Sequence, residues 1–449
     1  MGAEAAIPVQ IDDARAKGLA WLVKNQKGDG SWQAHGALKV QSTASALEAL
    51  MQAGMRSGET YGAAVGWLSN VEASSIDAKS RKAAALALAG LDTTSLVQAL
   101  LAARPQTDRQ VWGAYPQYTM SFPDTPLGLA ALRLSGYSYA NQDTELLSAV
   151  ACSVLPAQRS DGGWSHVNPA ASAPDSVKGS SLLPTALTLL ELAAQKAAKG
   201  WTTLSCNSVN YDLATVLNNG VIFLVSRKNA DNGFGEKSVS TVLDTALAYV
   251  AIQAANPSHS ALGPAQDYLL TGAGKPGTDG GWGGDPLATA FVLKTLPVVV
   301  LPDGDGDGVP DAVETALNNG SSTTVADGRS AAPGNGQGTS GVNSSLLLPV
   351  ATTGAAYLHG LALSGQSGFA LASGSLPPGL SLDANGQITG TPAQSGTFNF
   401  QYRYNATQTR LAQLAVSDPS DGDVPTLPEW GAILLSAGLM FSMYRHRRQ

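Results

Sequence analysis

Charge is scarce in this chain. Lys, Arg, Asp and Glu make up only 14% of its 449 residues, and 27 basic against 34 acidic side chains leave a net charge of −7. No basic stripe exists to neutralise phosphates, which excludes nucleic acid as a partner. The one concentration of positive charge is Arg445, His446, Arg447 and Arg448 at the very end. Cysteine is rarer still. Cys152 and Cys206 are too few for a disulfide framework and read equally as one bridge in an oxidising compartment or as two buried thiols. Met1–Gln10 has neither a charged n-region nor an apolar h-region, so no secretory signal is visible. The small-residue run Ala3-Glu4-Ala5-Ala6 matches the flank of a signal cleavage site, and the expectation is an export signal removed and replaced by Met-Gly.

What the chain does have is repetition. Leu19-Ala20-Trp21-Leu22 sits on a helix, Gln26-Lys27-Gly28-Asp29-Gly30-Ser31-Trp32 makes a turn, and a second helix runs roughly from Ser42 to Gln52. In it Ala44, Leu47 and Met51 keep helical spacing, and Gly54 stops it. The same order returns at Leu155–Trp164 with Leu182–Gln195, at Phe223–Gly235 with Leu243–Ala255, and at Tyr268–Trp282 with Leu287–Leu296. Degenerate copies lie at Tyr61–Gly90, without the turn, and at Ser95–Gly136, around Trp112-Gly113. Six helix pairs make twelve helices, enough to close into a ring, and Ala-rich faces such as Ala83-Ala84-Ala85 permit close approach. An open solenoid of the same units exposes apolar end faces that need capping repeats, and none is visible.

Gln26-x3-Gly30-x-Trp32 and Gln158-x3-Gly162-x-Trp164 resemble the QW motif of squalene–hopene cyclases, oxidosqualene cyclases and protein prenyltransferase β-subunits. Gly280 with Trp282 and Gly233 with Phe234 keep parts of it. The resemblance implies a mainly α fold, an (α/α)6 toroid of six helix hairpins with a central cavity, over residues 11–300. Trp32, Trp112, Trp164 and Trp282 read as structural staples between repeats rather than as cavity walls.

Catalysis is where the resemblance stops. The family's cyclases protonate substrate with DxDD followed by Thr-Ala. Thr241-Val242-Leu243-Asp244-Thr245-Ala246 keeps only the last aspartate and Thr-Ala, with Leu243 at the donor position. Pro123-Asp124-Thr125 shows the same fragment, so Asp-Thr reads as helix-start chemistry. The zinc site of the prenyltransferases is also missing, since neither cysteine has an Asp two residues before it or a His cluster beside it. Candidate acid–base pairs on the rim are Asp161 with His166, Asp279 with Asp285, and Tyr115 with Tyr118. No catalytic residue is assigned.

After Pro302 the composition changes. Asp303, Asp305, Asp307, Asp311 and Glu314 occupy positions 1, 3, 5, 9 and 12 of a twelve-residue loop. Gly308 sits at the turn position 6, and the Val309 carbonyl at position 7. This spacing wraps oxygens around one Ca2+, and residues 301–317 resemble the loops of EF-hands, dockerins and thrombospondin type-3 repeats. Without an amphipathic helix before it, the loop reads as a structural calcium clip. Residues 318–343, rich in Gly, Ser, Thr and Asn, read as a flexible linker.

In residues 344–417 short β-rich runs alternate with turns. Leu376-Pro377-Pro378-Gly379-Leu380-Ser381-Leu382, Gly386-Gln387-Ile388-Thr389-Gly390-Thr391-Pro392 and Gly396-Thr397-Phe398 closely resemble the Ig-like (cadherin-like) modules of bacterial surface proteins, which implies a small β-sandwich. In residues 424–449, Val424-Pro425-Thr426-Leu427-Pro428-Glu429-Trp430-Gly431 precedes an apolar run, Ala432–Tyr444, and the terminal arginines. This tail resembles the IPTL-CTERM relative of PEP-CTERM sorting signals. The resemblance implies a membrane contact and an exosortase-like sorting protease as partner.

The expectation is therefore an exported protein of the Gram-negative cell envelope or surface, anchored by its C-terminal tail or released after tail cleavage. Its toroid is expected to bind an apolar, isoprenoid-like or glycan ligand. A divergent enzyme on the same toroid (terpene cyclase-like, or a polysaccharide lyase or hydrolase) and a structural surface or biofilm protein are the alternatives.

Overall fold

The structure, a computed structural model, describes residues 8–33, 38–56, 58–105, 111–167, 179–304, 308–317, 323, 346–348, 351–361, 368–404 and 408–417. The helices before Pro297 fall into six consecutive pairs. The first members are α1 (Pro8–Asn25), α3 (Gly58–Asn70), α5 (Thr94–Ala102), the broken run α7 (Tyr139–Gln142), α8 (Thr144–Ala149) and the wide-turn segment Val150–Val154, then α10 (Leu213–Val225) and α12 (Leu262–Leu270). The second members are α2 (Lys39–Gln52), α4 (Ile76–Leu88), α6 (Asp124–Leu134), α9 (Leu182–Lys199), α11 (Val242–Ala255) and α13 (Pro286–Thr295).

These second helices pack side by side in the order α2, α4, α6, α9, α11, α13, and α13 packs back on α2. The result is an inner ring of six helices. Local chemistry sets their starts. Ser75 and Thr241 cap α4 and α11 with side-chain oxygens, and Asp285 caps α13, which opens with Pro286. Gly200, with φ +67°, ends α9.

One staple recurs in five of the six turns. The backbone N–H of Trp32, Trp112, Trp164, Phe234 and Trp282 donates to the hydroxyls of Thr43, Thr125, Thr185, Thr245 and Thr289 on the following inner helix, at 2.8–3.3 Å. Each indole N–H also donates to a carbonyl at the end of the preceding outer segment: Leu22, Leu100, Val154 or Leu269. The Gln26 and Gln158 amides reach Thr60 and Val216 carbonyls in the next unit, joining neighbours. All four turn tryptophans are fully buried.

The ring closes between its ends. α1 packs on α12 and α13. Arg15 donates to the Pro297 carbonyl at 3.0 Å, and Lys294 pairs with Glu48 at 2.7 Å. Cys152, in the wide-turn segment, is disulfide-bonded to Cys206 at the end of a two-stranded hairpin, β3 (Thr203–Cys206) and β4 (Val209–Asp212). An earlier pair, β1 (Trp164–Ser165) and β2 (Ser180–Ser181), lies beside α9. After the ring, α14 (Asp311–Leu317) packs on α1, and Val309, Val313 and Leu317 join the toroid core.

The C-terminal strands form two sheets. One orders β7 (Tyr357–Gly360), β10 (Gln387–Gly390) and β9 (Leu380–Leu382) as β7-β10-β9. The other runs β5-β12-β11-β8, from β5 (Leu346–Leu347), β8 (Ala370–Gly374), β11 (Gly396–Tyr404) and β12 (Gln408–Ser417), with β6 (Ala351–Thr352) also on β12. Phe369, Ile388, Phe400, Tyr402 and Leu414 fill the space between them. Among the described residues no helix is long and apolar enough to cross a membrane. The tail, residues 424–449, lies outside them, as does most of the expected linker.

Candidate functional site

Each pair repeats the same path, so the N-terminal ends of the six inner helices open at one mouth. Contacts between neighbouring units trace it. The Ile76 amide donates to Ala114 O, the Phe122 amide to His166 O, and Gln41 to Asp77 at 3.0 Å.

Below the mouth, the inner helices carry half-exposed side chains. They are polar on one side, with Gln41, Glu48 and Gln52 on α2, Arg81 on α4 and Lys294 on α13. They are largely apolar on the other, with Leu127, Leu183, Leu190, Leu243 and Val250 on α6, α9 and α11, where the half-exposed Arg133 is paired with Glu191. The polar wall is internally paired: Glu48 with Lys294, and Asp77 with Arg81 at 3.0 Å.

Two carboxyls at the mouth hold their protons unusually tightly. Burial pushes Asp124 up to about 6, against a hydrogen bond from the Ser121 hydroxyl, and the nearby Asp77 carboxylate pushes the same way. Burial likewise pushes Asp244 up to about 6, opposed by Thr241 and reinforced by Glu236. Burial lowers the affinity of His166 for its proton, and its Nε2 lies 3.1 Å from Ser181 Oγ. Glu236 accepts from the Ser181 hydroxyl and from the Leu182 amide at the start of α9.

The acid–base pairs expected from the sequence are placed otherwise. Asp161 accepts from Gly163 N–H and Ser180 Oγ, while His166 meets Ser181. Asp279 accepts from the Trp21 indole and Gly281 N–H, and Asp285 caps α13. Both aspartates are framework. Only the tyrosines meet, ring to ring: Tyr115 and Tyr118 are T-shaped at 5.6 Å. Asp124 and Asp244 do start helices, as expected, but they are sunk into the mouth rather than solvated. Gln41, Asp77, Arg81 and Glu236 carried no flag in the sequence, because Gln41 is one polar position of a mixed helix, the unit of Asp77 and Arg81 has lost its Gly/Trp turn, and Glu236 sits in an unremarkable loop.

In the acidic loop the Gly308 amide donates to Asp303 Oδ2 at 2.9 Å, and the Gly304 amide to Asp311 Oδ1 at 2.7 Å. Gly308 has φ +94°, the left-handed conformation the turn demands. Val309 and Glu314 are buried. These bonds tie position 1 to position 6 and position 2 to position 9, and the carboxylates of Asp303, Asp311 and Glu314 with the Val309 carbonyl are the all-oxygen chemistry that a hard cation such as Ca2+ takes. Asp305 and Asp307 lie outside the described residues. Among the described residues no three ligating side chains gather into a metal-holding group.

Residues 322–417 match the family model described as "Putative Ig domain", a match that begins within the segment read as linker. A search of curated proteins finds no match to the chain. Solved structures similar to it include the type II terpene cyclase MstE from Scytonema without ligand, at 15% identity and TM-score 0.43, covering 64% of this chain and 98% of that one. A variant of it with merosterolic acid A gives 15% identity and TM-score 0.45, covering 64% and 96%. The ent-copalyl diphosphate synthase from Streptomyces platensis gives 16% identity and TM-score 0.41, covering 58% of this chain and 50% of that one.

Proposed function

We propose that this is an exported cell-envelope protein whose α-toroid binds a ligand through its lumen and mouth. The observation that carries the reading is the split lining. Leu127, Leu183, Leu190 and Val250 are half-exposed on α6, α9 and α11, while Gln41, Glu48, Arg81 and Lys294 are half-exposed on α2, α4 and α13. Such a lining suits a molecule with both apolar and polar surface, as in an isoprenoid-like chain with a polar head or a glycan. The turn tryptophans supply the frame, since their N–H groups are all spent on staples.

Export is supported by the Cys152–Cys206 bridge, which persists in oxidising compartments. The Ig-like module serves as a spacer. The tail, residues 424–449, acts as a sorting signal for an exosortase-like protease in a Gram-negative envelope, leaving the protein membrane-anchored or released after cleavage. Asp303, Asp305, Asp307, the Val309 carbonyl, Asp311 and Glu314 hold Ca2+, which clips α14 to the toroid.

The test is native mass spectrometry of the full chain mixed with envelope lipid and glycan fractions. A ligand retained at constant mass supports binding, and its mass names the class. No retained ligand sinks the reading and leaves a structural surface protein. A second reading, an enzyme, is favoured by Asp124 and Asp244, whose raised proton affinity near neutral pH suits acid catalysis. Change in the ligand's mass or isomeric form with time would establish it.

A further inference from the structure

We propose that the stretch after the last helix pair is a clasp that sets how readily the ring parts at its seam, where the sixth unit meets the first. The seam differs from the other joints by topology. Those are crossed by the chain itself, through connections such as residues 53–57 between α2 and α3 or 256–261 between α11 and α12. At the seam α13 leads into residues 297–302 instead of into another helix pair. Non-covalent contacts therefore close it: Arg15 on Pro297 O, Lys294 with Glu48, and Trp21 with Asp279. A joint that the chain does not cross can part while the rest of the ring stays folded, so local opening costs least there.

The clasp has two limbs. The strap, residues 297–302, leaves α13 and lies along the end of α2. There the Val299 amide donates to Gln52 O at 3.3 Å and the Leu301 amide to Ala53 O at 3.2 Å. The approach is so close that a Cβ on Gly54 would meet Val300 Cγ1 at 2.9 Å. The second limb, α14, packs on α1 and buries Val313 and Leu317, with Val309 buried just before it. The Asp311 amide donates to Pro302 O at 3.0 Å and ties the limbs together.

One stretch of chain thus starts in the sixth unit and grips both helices of the first. Drawing α1 and α2 away from α13 must either strip the strap from α2 or unseat α14 from α1. The two limbs do not hold equally. Val298 and Val300 stay 75% and 78% exposed, so the strap holds chiefly by its two hydrogen bonds. The apolar grip belongs to α14, since Val309, Val313 and Leu317 are removed from water only while it is seated on the toroid. Seating of α14 therefore sets the cost of opening the seam.

The experiment is hydrogen–deuterium exchange of the full chain, followed peptide by peptide, in the parent, Val313→Ala and Leu317→Ala. Expected in Val313→Ala is exchange about tenfold faster in α1, the end of α2 and α13, with α6 and α9 as protected as in the parent. Leu317 lies at the end of α14 and is less completely buried, so Leu317→Ala should loosen the same peptides and serves if Val313→Ala does not fold. Unchanged exchange at the seam in both variants overturns the clasp. Exchange that rises equally around the whole ring overturns it too, because the α14 contacts would then support the fold at large. The same measurement in Ca2+ and in EGTA tests the calcium reading separately. Slower exchange of the seam peptides in Ca2+ joins the ion to the clasp, whereas no difference removes the ion from it and leaves the clasp standing.

Discussion

The Trp21 indole N–H donates to the Asp279 carboxylate at 2.9 Å, joining positions 258 residues apart and closing the helix ring on itself. Gly281 lies against the same indole so tightly that a Cβ would meet Trp21 Cε2 at 2.4 Å, and one at Gly18 would meet Trp282 at 2.7 Å. Gly281→Ala should therefore cost about 1–3 kcal/mol through overpacking at the seam. Gly62, inside α3 with nothing within 4 Å of its would-be Cβ, is the control. There alanine should stabilise by about 0.5–1 kcal/mol. Urea midpoints shifting in the same direction for both variants would remove the seam argument.

The threonine staples should be the most sensitive polar positions in the ring. Thr185 is fully buried, accepts from Trp164 N–H at 2.9 Å and donates to Ser181 O at 2.7 Å. Thr185→Val keeps the shape and leaves that amide buried without its partner, at a cost of about 1–3 kcal/mol. Thr185→Ser keeps the hydroxyl and should cost about 1 kcal/mol for the lost methyl. Equal losses in the two variants, read from equilibrium unfolding, would show that packing and not the hydrogen bond carries the site.

These staples also show where sequence reading reaches and where it stops. The aromatic member is legible, because Gly-x-Trp recurs in turns with a helix on either side. The threonine member is not, because it follows its aromatic by 11, 13, 21, 11 and 7 residues. Only the fold makes those distances equal. Asp124 was legible as a helix start but not as a buried acid, since burial depends on the loop that Ile76 and Phe122 hold over it. Asp77 begins a helix whose unit lost the turn that would have announced it. The pairing of Cys152 with Cys206 depends on a hairpin meeting a helical segment 54 residues away, which no spacing rule gives. In the sandwich, β9 hides inside a Pro-Gly turn motif and emerges only by pairing with β10.

The disulfide should contribute measurably to stability. Closing a chain segment of 54 residues removes unfolded-state entropy worth about 4 kcal/mol on the loop-closure model. The Cys152→Ala/Cys206→Ala double variant and the parent chain under reductant should unfold at matching, lower midpoints. If reductant leaves the parent's midpoint unchanged, the bridge does not stabilise the ring. Labelling of unfolded protein with a thiol reagent then reports whether it forms at all.

Asp124 makes stability fall as pH rises, opposite to a salt-bridged carboxylate. Its proton affinity in the folded state is raised to about 6, against about 4 in the unfolded chain. The native state therefore binds the extra proton between those values. Below about pH 4 both states are protonated and nothing is lost. Through about pH 6 the folded chain must ionise a carboxyl sunk among Ser121, Asp77 and the loop above them, which costs on the order of 3 kcal/mol once complete. Asp124→Asn removes the charge while keeping an acceptor for the Ser121 hydroxyl. The difference in unfolding free energy between variant and parent should thus move in the variant's favour from about pH 4 to about pH 8. Asp244, with Glu236 beside it, should show the same sign in its own asparagine variant. A difference that stays flat across that range would mean that Asp124 ionises freely in the folded protein, and its candidacy as an acid at the mouth would go with it.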